Sequence, residues 1–271
     1  MTTVEAIRVS SDWLGLREPA DAAARSRDLV RELRDRLPDH GRHNDRPLVI
    51  HDLACGSGSM GRWLGPLLPG PQRWILHDRD PDLLALAEAL VPGRVQARLG
   101  DVTRLSSADF AGADLITASA LLDLLTADEL AALVAACAGA GCPVLFTLSV
   151  TGRVQLLPAD PLDARVAASF DDHQRRLTSR GRLLGPDAVG AAVEGFCALG
   201  AKVVVKSSPW RLGAEESPLA AEWFDGWLGA ACEQDAALAA VADVYRLRRQ
   251  REAGAGCLAV TVGHADLLVL P

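Results

Sequence analysis

Apolar and polar residues alternate along the chain in blocks that predict strands and helices in turn. Short apolar runs predict five strands at residues 47–54, 73–78, 94–101, 113–122 and 143–150. Residues 81–91 and 126–141 predict helices, because Pro81 and the Thr126 and Glu129 pair are typical of helix starts. Nearly continuous apolar strands that alternate with helices indicate a parallel sheet covered on both faces.

Both ends of the chain depart from this alternation. Residues 20–37 place apolar side chains on one side and charges on the other, which predicts an N-terminal helix. After residue 150 the pattern predicts a loop, helices near 161–178 and 185–200, a strand at 201–208, and helices near 218–232 and 235–251. The first half of residues 257–271 predicts a last strand. We expect it to pair antiparallel, because no short crossover precedes it.

Composition and charge narrow the class of protein. The chain has 271 residues, is 49% hydrophobic and carries a net charge of −7. We expect a folded cytoplasmic protein without a membrane segment, because no long uncharged apolar run or secretory signal pattern occurs. The negative charge opposes nucleic-acid binding and favours a small-molecule substrate. A monomer and a homodimer both remain open.

The cysteines and histidines do not indicate a metal site. None of the six cysteines forms a C-x-x-C pair, and they lie mostly in apolar stretches. His51, His77 and His264 lie on predicted strands and are not clustered as metal ligands would be, so we expect structural roles for them.

A glycine-rich turn follows the first predicted strand. Gly56, Gly58 and Gly61 have the G-x-G-x-x-G spacing of a dinucleotide-binding turn, and the acidic residue Asp78 follows about 20 residues later. Asp52, however, stands just before the turn, where a carboxylate would repel a pyrophosphate. A carboxylate at this position suits a positively charged ligand instead.

Four segments in order resemble the motifs of class I S-adenosylmethionine-dependent methyltransferases. The segments VIHDLACGSG, WILHDRDPDLL, RLGDV and ADLITASALLDLL are similar to the first, second, third and fourth motif. Ala54 stands where the first motif frequently has glycine. The resemblance implies a Rossmann-like α/β fold: a seven-stranded, mostly parallel sheet with an antiparallel last strand, helices on both faces, an extra N-terminal helix and helical insertions.

The same resemblance implies S-adenosyl-L-methionine as cofactor and a role for each matching residue. Asp78 would accept hydrogen bonds from the ribose hydroxyls, Asp101 would bind the adenine amino group, and the amide of Val102 would face the ring. The methionine part would pass Asp52, Ala54, Gly56, Gly58 and Ser119.

Two arginines have alternative interpretations. Arg79 would meet the 2′-phosphate of NADP in a nucleotide-binding protein, but the neighbouring Asp78 opposes that role. Arg25, together with Arg17, would clamp the methionine carboxylate if the N-terminal helix closed over the cofactor. The alternative for both Arg17 and Arg25 is surface charge.

His173 and Asp123 are the candidate catalytic residues. His173 shares a predicted helix face with Val166 and Phe170 and would act as a base for a hydroxyl acceptor; the alternative is a core histidine. Asp123 follows the fourth predicted strand and would bind an amine or hydroxyl; the alternative is a helix cap. Trp210, Trp223, Trp227 and Tyr245 would form an aromatic lid over a flat acceptor; the alternative, favoured for the last three, is packing between helices.

These observations predict two parts of the chain. Residues 1–46 form an N-terminal helical segment or lid, and residues 47–271 form the methyltransferase domain, with acceptor-side insertions at 151–184 and 209–255. We expect methyl transfer to a small molecule. RNA or protein methylation and cofactor binding without transfer are the alternatives. The C-terminal part resembles an uncharacterised group of actinobacterial methyltransferase-like proteins, which implies no particular substrate.

Overall fold

Seven strands form a continuous sheet in the computed structural model, which describes residues 9–37 and 46–271. These seven strands are β1 (Leu48–Leu53), β2 (Gln72–Asp78), β3 (Arg94–Leu99), β4 (Leu115–Ser119), β5 (Val144–Leu157), β8 (Lys202–Ser207) and β10 (Ala259–Leu270). Three short strands lie outside this set: β6 (Leu177–Thr178), β7 (Gly181–Arg182) and β9 (Trp210–Leu212). The sheet order is β3-β2-β1-β4-β5-β10-β8, with β9 as an extra short strand on β10. Strands β1 to β5 pair in parallel and β10 runs antiparallel to its neighbours, which confirms the predicted fold.

Helices cover both faces of the sheet. They are α1 (Ser11–Ala24), α2 (Arg27–Arg34), α3 (Ser59–Leu64), α4 (Pro81–Leu90), α5 (Ala127–Gly139), α6 (Asp163–Gln174), α7 (Ala188–Ala198), α8 (Ser217–Gln234) and α9 (Ala236–Gly254). One apolar core lies beneath α2, α3 and α4, a second beneath α5 and α7, and a third joins α8 and α9 to the far halves of β5 and β10. In the described residues, no helix is both long and apolar enough to cross a membrane.

The prediction of a loop directly after residue 150 is wrong. Strand β5 continues to Leu157 because β10 pairs with it along its length, from Val144 opposite Val269 to Leu157 opposite Ala259. The same pairing extends the last strand through the second half of the C-terminal segment. The outer half of β5 contains several polar and partly exposed residues, because a strand that faces solvent needs few apolar side chains. The hydrophobicity pattern therefore does not predict a strand there.

The predicted N-terminal helix at 20–37 is two helices. Helix α1 ends at Ala24 and α2 starts at Arg27, with the Ser26 side chain accepting a hydrogen bond from Leu29 N at 3.3 Å as a helix cap. Helix α2 contributes to the core, so only α1 lies over the ends of the strands. Residues 1–8 and 38–45 of the predicted N-terminal segment lie outside the described residues.

The predicted helix at 161–178 ends early. Helix α6 stops at Gln174, and β6 and β7 then form a short hairpin that sequence analysis missed. Arg180, at the tip of the hairpin, donates hydrogen bonds to Glu129 Oε1 at 2.8 Å and to the carbonyl of Leu124 at 3.2 Å. These contacts hold the hairpin against the edge where the parallel strands end.

Candidate active site

Two adjoining cavities open at the carboxyl ends of the parallel strands. The larger has a volume of about 490 Å³ and reaches from the glycine turn to α1, α6, α8 and β10. The smaller, of about 390 Å³, lies under the β6–β7 hairpin. Both are lined by Ala54, Asp78, Arg79, Leu121 and Leu124. A ligand can therefore extend from one cavity into the other, at the edge where parallel α/β sheets bind ligands.

One end of the larger cavity, which we call the turn end, is formed by Asp52, Ala54, Gly56 and Asp78. The glycine turn has left-handed backbone at Gly56 (φ +54°) and Gly58 (φ +85°). A Cβ atom at Gly58 would lie 2.5 Å from Val91 Cγ2, so both conformation and space require glycine there.

Asp78 holds the turn from the neighbouring strand. Its two carboxylate oxygens accept hydrogen bonds from Gly56 N at 2.8 Å and Asp80 N at 2.9 Å. A carboxylate has about four acceptor positions, so about two remain for a ligand at this point, where the two cavities meet. The predicted ribose-binding residue therefore lies in the wall of both cavities.

Asp52 is a buried carboxylate in the wall of the turn end. One oxygen accepts a hydrogen bond from Thr117 Oγ1 at 2.8 Å, and Oδ2 has no partner. Burial raises the pKa of Asp52 to about 7, against the opposite effects of Thr117 and Arg25. An unpartnered buried carboxylate oxygen is costly, so this position favours a ligand that brings a positive charge or a proton donor.

Arg25 lies behind the cavity wall and not in it. Its Nη2 donates to Ser59 Oγ and Ser119 Oγ, each at 3.0 Å, and these two serines line the larger cavity. Burial lowers the pKa of Arg25, and its Nε and Nη1 atoms have no hydrogen-bond partners. Ser119 Oγ also accepts from Thr147 Oγ1 at 3.1 Å, which leaves the Ser119 hydroxyl as a donor.

The smaller cavity contains the other predicted cofactor residues. Asp101 and Val102 line it, and Arg79 lines both cavities. Asp101 Oδ1 accepts hydrogen bonds from Thr103 N at 3.0 Å and Thr103 Oγ1 at 2.7 Å. Burial opposes ionisation of Asp101, but these hydrogen bonds prevail and lower its pKa, so the group is a carboxylate near neutral pH.

The two predicted catalytic residues are separated in the structure. Asp123 lines the larger cavity, and burial raises its pKa to about 6, although Arg17 and Arg176 act in the opposite direction. His173 lines neither cavity: its Nε2 lies 3.1 Å from Glu233 Oε2, on the outer side of the contact between α6 and α8. Phe170, one turn earlier on α6, does line the larger cavity. The sequence predicted that Phe170 and His173 share a helix face, but only Phe170 lines the cavity.

Away from the turn end, aromatic side chains form a wall of the larger cavity that the sequence predicts only in part. We call this wall the aromatic chamber; it is formed by Trp13, Phe170, Trp210, Trp223 and His264. Of the residues of the predicted lid, Trp210 and Trp223 belong to it, whereas Trp227 and Tyr245 are buried among the helices and do not line the cavity. The contribution of Trp13 and His264 was not predicted.

Asp266 is a further residue that sequence analysis missed. Its fully buried carboxylate accepts hydrogen bonds from Ser26 N at 2.7 Å, Leu148 N at 2.8 Å and Ser208 Oγ at 2.6 Å. It thereby ties the residue after Arg25 to β5 and to the end of β8. The available signal was an aspartate within an otherwise apolar strand, which a buried strand accepts only when its carboxylate is fully hydrogen-bonded.

The backbone is strained around the larger cavity. Ala54 (φ +49°), Ala120 (φ +51°) and Leu148 (φ +56°) have left-handed backbone without being glycine, and all three line this cavity. Such conformations cost energy and occur mainly at functional sites. The hydrogen bond from Leu148 N to Asp266 shows how one of them is held in place.

Comparison with known proteins agrees with the motifs. Residues 50–141 match the family model of a methyltransferase domain. The structure is similar to cyclopropane synthase MmaA2 from Mycobacterium tuberculosis, with a TM-score of 0.51, 14% identity and coverage of 97% of this chain and 95% of that one. Mycolic acid cyclopropane synthase CmaA1, solved with SAH and CTAB, has a TM-score of 0.51 and 14% identity over 95% of this chain and 94% of that one.

A search of curated proteins gave no match to the sequence. The family match nevertheless spans β1 to the end of α5, which includes Asp52, the glycine turn, Asp78 and Asp101. Residues 50–141 are therefore similar to a methyltransferase domain, and the described residues have a Rossmann-like α/β fold, as the two cyclopropane synthases do.

Proposed function

We propose that this protein transfers the methyl group of S-adenosyl-L-methionine to a small-molecule acceptor. The observation that supports this most directly is one cavity that joins the turn end to an aromatic chamber beneath α1. A cavity of about 490 Å³ is within the usual size range of small-molecule sites.

The unpartnered polar atoms of the turn end fit this cofactor. Asp52 Oδ2 is an acceptor without a donor, and the Arg25 guanidinium is a buried cation with two unpartnered nitrogens. A ligand with an ammonium group, a carboxylate and a sulfonium matches this pair of charges. Asp52 would bind the ammonium, and Ser119, backed by Arg25, would bind the carboxylate.

The remaining predicted contacts follow the two cavities. Asp78 would bind the ribose where the cavities meet, and Asp101 and Val102 would bind the adenine in the smaller one. The glycine turn allows close approach of the ligand to the backbone at Ala54 and Gly56. Arg79 lines both cavities and would lie beside the nucleoside, with Asp78 opposing a phosphate there.

The bound cofactor supplies a methyl group on a positively charged sulfur. The protein then has to align the acceptor and exclude water, because the displacement is in line and disperses charge. Asp123 would hold an acceptor hydroxyl or amine and take its proton, since a carboxyl pKa of about 6 is close to neutral pH. His173 would instead serve in the packing of α6 against α8.

Two measurements test this proposal. In calorimetry, S-adenosylmethionine and its demethylated product should bind, whereas NAD and NADP should not. Labelled S-adenosylmethionine added to cell extract with the protein should then place its label in the small-molecule fraction. Label in RNA or protein would contradict the proposed acceptor class, and cofactor binding without any transfer would contradict the enzymatic function.

A further inference from the structure

The aromatic chamber presents flat apolar surfaces to the larger cavity. Trp13 and Trp210 meet edge to face with ring centroids 6.4 Å apart, and Trp223 stacks on Trp227 at 5.3 Å with an interplanar angle of 19°. These contacts fix the orientation of the rings before any ligand arrives. Preformed aromatic walls favour a flat ligand, because aromatic pairs gain energy beyond their buried area.

The charged side chains beside the chamber, Arg17 and Asp21, are already paired with each other. Arg17 donates to both oxygens of Asp21, at 3.0 Å and 3.2 Å, and Asp21 also accepts from Trp210 Nε1 at 2.9 Å. The Arg17 guanidinium lies 4.9 Å from the centre of the Trp210 ring. Because the ion pair is satisfied internally, this wall does not call for a charged ligand.

His264 is the exception in this wall. Its side chain is about 5% exposed, its ring lies 5.2 Å from that of Trp210, and its Nδ1 has no hydrogen-bond partner. Burial lowers the pKa of His264 to about 3, although a backbone contact at Val262 acts in the opposite direction, so the imidazole is neutral. A buried neutral ring nitrogen without a partner costs stability unless a ligand supplies one.

The backbone of β10 sets the position of this ring. The register of β10 with β5 shifts between Val262, which pairs with Val154, and His264, which pairs with Val150. The additional residues therefore lie on β5, which bulges opposite Gly263, directly before the histidine. A Cβ atom at Gly263 would lie 2.6 Å from Thr151 Oγ1, so the bulge requires glycine. Bulges next to active sites commonly redirect a side chain.

We propose that the acceptor is a planar aromatic molecule that stacks in this chamber and forms a hydrogen bond with His264 Nδ1 through a polar group on its ring. This inference rests on the proposed function and specifies the class of acceptor. A hydroxyl both donates and accepts, so a phenolic ring pairs with Nδ1 in either tautomer of the histidine.

Two probes of similar shape test this inference without requiring turnover. The affinities of 2-naphthol and naphthalene are measured by tryptophan fluorescence on the full chain, with and without excess S-adenosylhomocysteine. We expect 2-naphthol to bind about tenfold more tightly, the effect of one buried hydrogen bond. His264→Leu should remove this preference. His264→Asn should keep much of it, because the asparagine amide stands near the position of Nδ1.

His173→Leu is the matched control, because this histidine lies outside both cavities and should leave the preference unchanged. Equal binding of the two probes to the wild type would overturn the inference, as would an unchanged preference in His264→Leu. Loss of melting temperature in both His264 variants, with the same preference retained in each, would assign His264 a structural role only and overturn it too.

Calorimetry of S-adenosylhomocysteine on the same samples separates this inference from the proposed function. If the nucleoside fails to bind while the preference for 2-naphthol persists, the proposed function fails and the aromatic site remains. If the nucleoside binds and neither probe does, only the aromatic acceptor is refuted.

Discussion

The turn end and the aromatic chamber of the larger cavity are assembled from the chain in different ways. The turn end is formed by Asp52, Ala54, Gly56 and Asp78, at the ends of two adjacent parallel strands. The aromatic chamber brings together Trp13, Phe170, Trp210, Trp223 and His264, from segments spread over the whole chain. A short motif therefore fixes the first region, and only long-range packing fixes the second.

This difference has a functional consequence. A cofactor site built from one turn and two strand ends can stay the same while the insertions around it change. The proposed acceptor site depends instead on elements with their own core beneath α8 and α9. Substitutions can separate the two regions.

Asp266→Ala should damage both regions at once. The carboxylate anchors Ser26, next to Arg25, and Leu148, in the cavity wall. Its loss leaves buried donors without an acceptor, so we expect the free energy of unfolding to fall by about 3 kcal/mol. Denaturant titration measures this value, with the exposed Asp172→Ala as control. A loss below that of the control would refute the anchoring role.

Asp123→Asn should separate chemistry from cofactor binding. Removing a general base typically lowers the rate by about 100-fold or more, while the affinity for S-adenosylmethionine should stay nearly unchanged. Since the pKa of Asp123 is raised to about 6, wild-type kcat should rise with pH through about 6 and then level off. In Asp123→Asn, kcat should no longer rise with pH in this range. His173→Ala should retain this rise of kcat with pH. If His173→Ala lost the rise and Asp123→Asn retained it, His173 would be the base.

Asp78→Ala should affect the turn end alone. Two backbone hydrogen bonds and the ribose contacts are lost together, so cofactor binding should weaken by about 1–3 kcal/mol in calorimetry. The binding of 2-naphthol in the aromatic chamber should change little. Unchanged cofactor affinity would argue against the ribose contact.

Asp52→Asn should change the pH dependence of cofactor binding more than its strength near pH 6. Burial raises the pKa of Asp52 to about 7, so the group is protonated below that pH in the free protein. Binding a cation requires its ionisation, so wild-type affinity should rise by up to about tenfold per pH unit until about pH 7. The asparagine variant should show a flat profile over the same range.

The same pKa has a consequence for folding. Because the folded-state pKa of Asp52 is raised, the folded protein binds a proton that the unfolded chain releases above about pH 4. Ionisation of Asp52 therefore lowers the free energy of unfolding of the cofactor-free protein as the pH rises from about 4 to about 7, and this loss is largest above about pH 7. The cofactor would offset that loss by pairing with the carboxylate.

Sequence reasoning succeeded where neighbours in the chain decide the structure. The capping box of Thr126 and Glu129 is present at the start of α5, and the glycine turn follows β1 as expected. Sequence reasoning failed where a residue far away in the chain determines the local structure. The outer half of β5 is a strand only because β10 lies beside it, and α1 is separated from α2 at Ser26, whose amide reaches Asp266.

The sequence by itself determined the alternation of strands and helices and the residues of the turn end, because periodicity, caps and left-handed glycines act over a few residues. The tertiary structure decided which side chains face the cavity. Phe170 and His264 line it and His173 does not, although all three stand on apolar segments. The orientation of a side chain depends on helix packing and strand register, which contacts between residues far apart in the chain set.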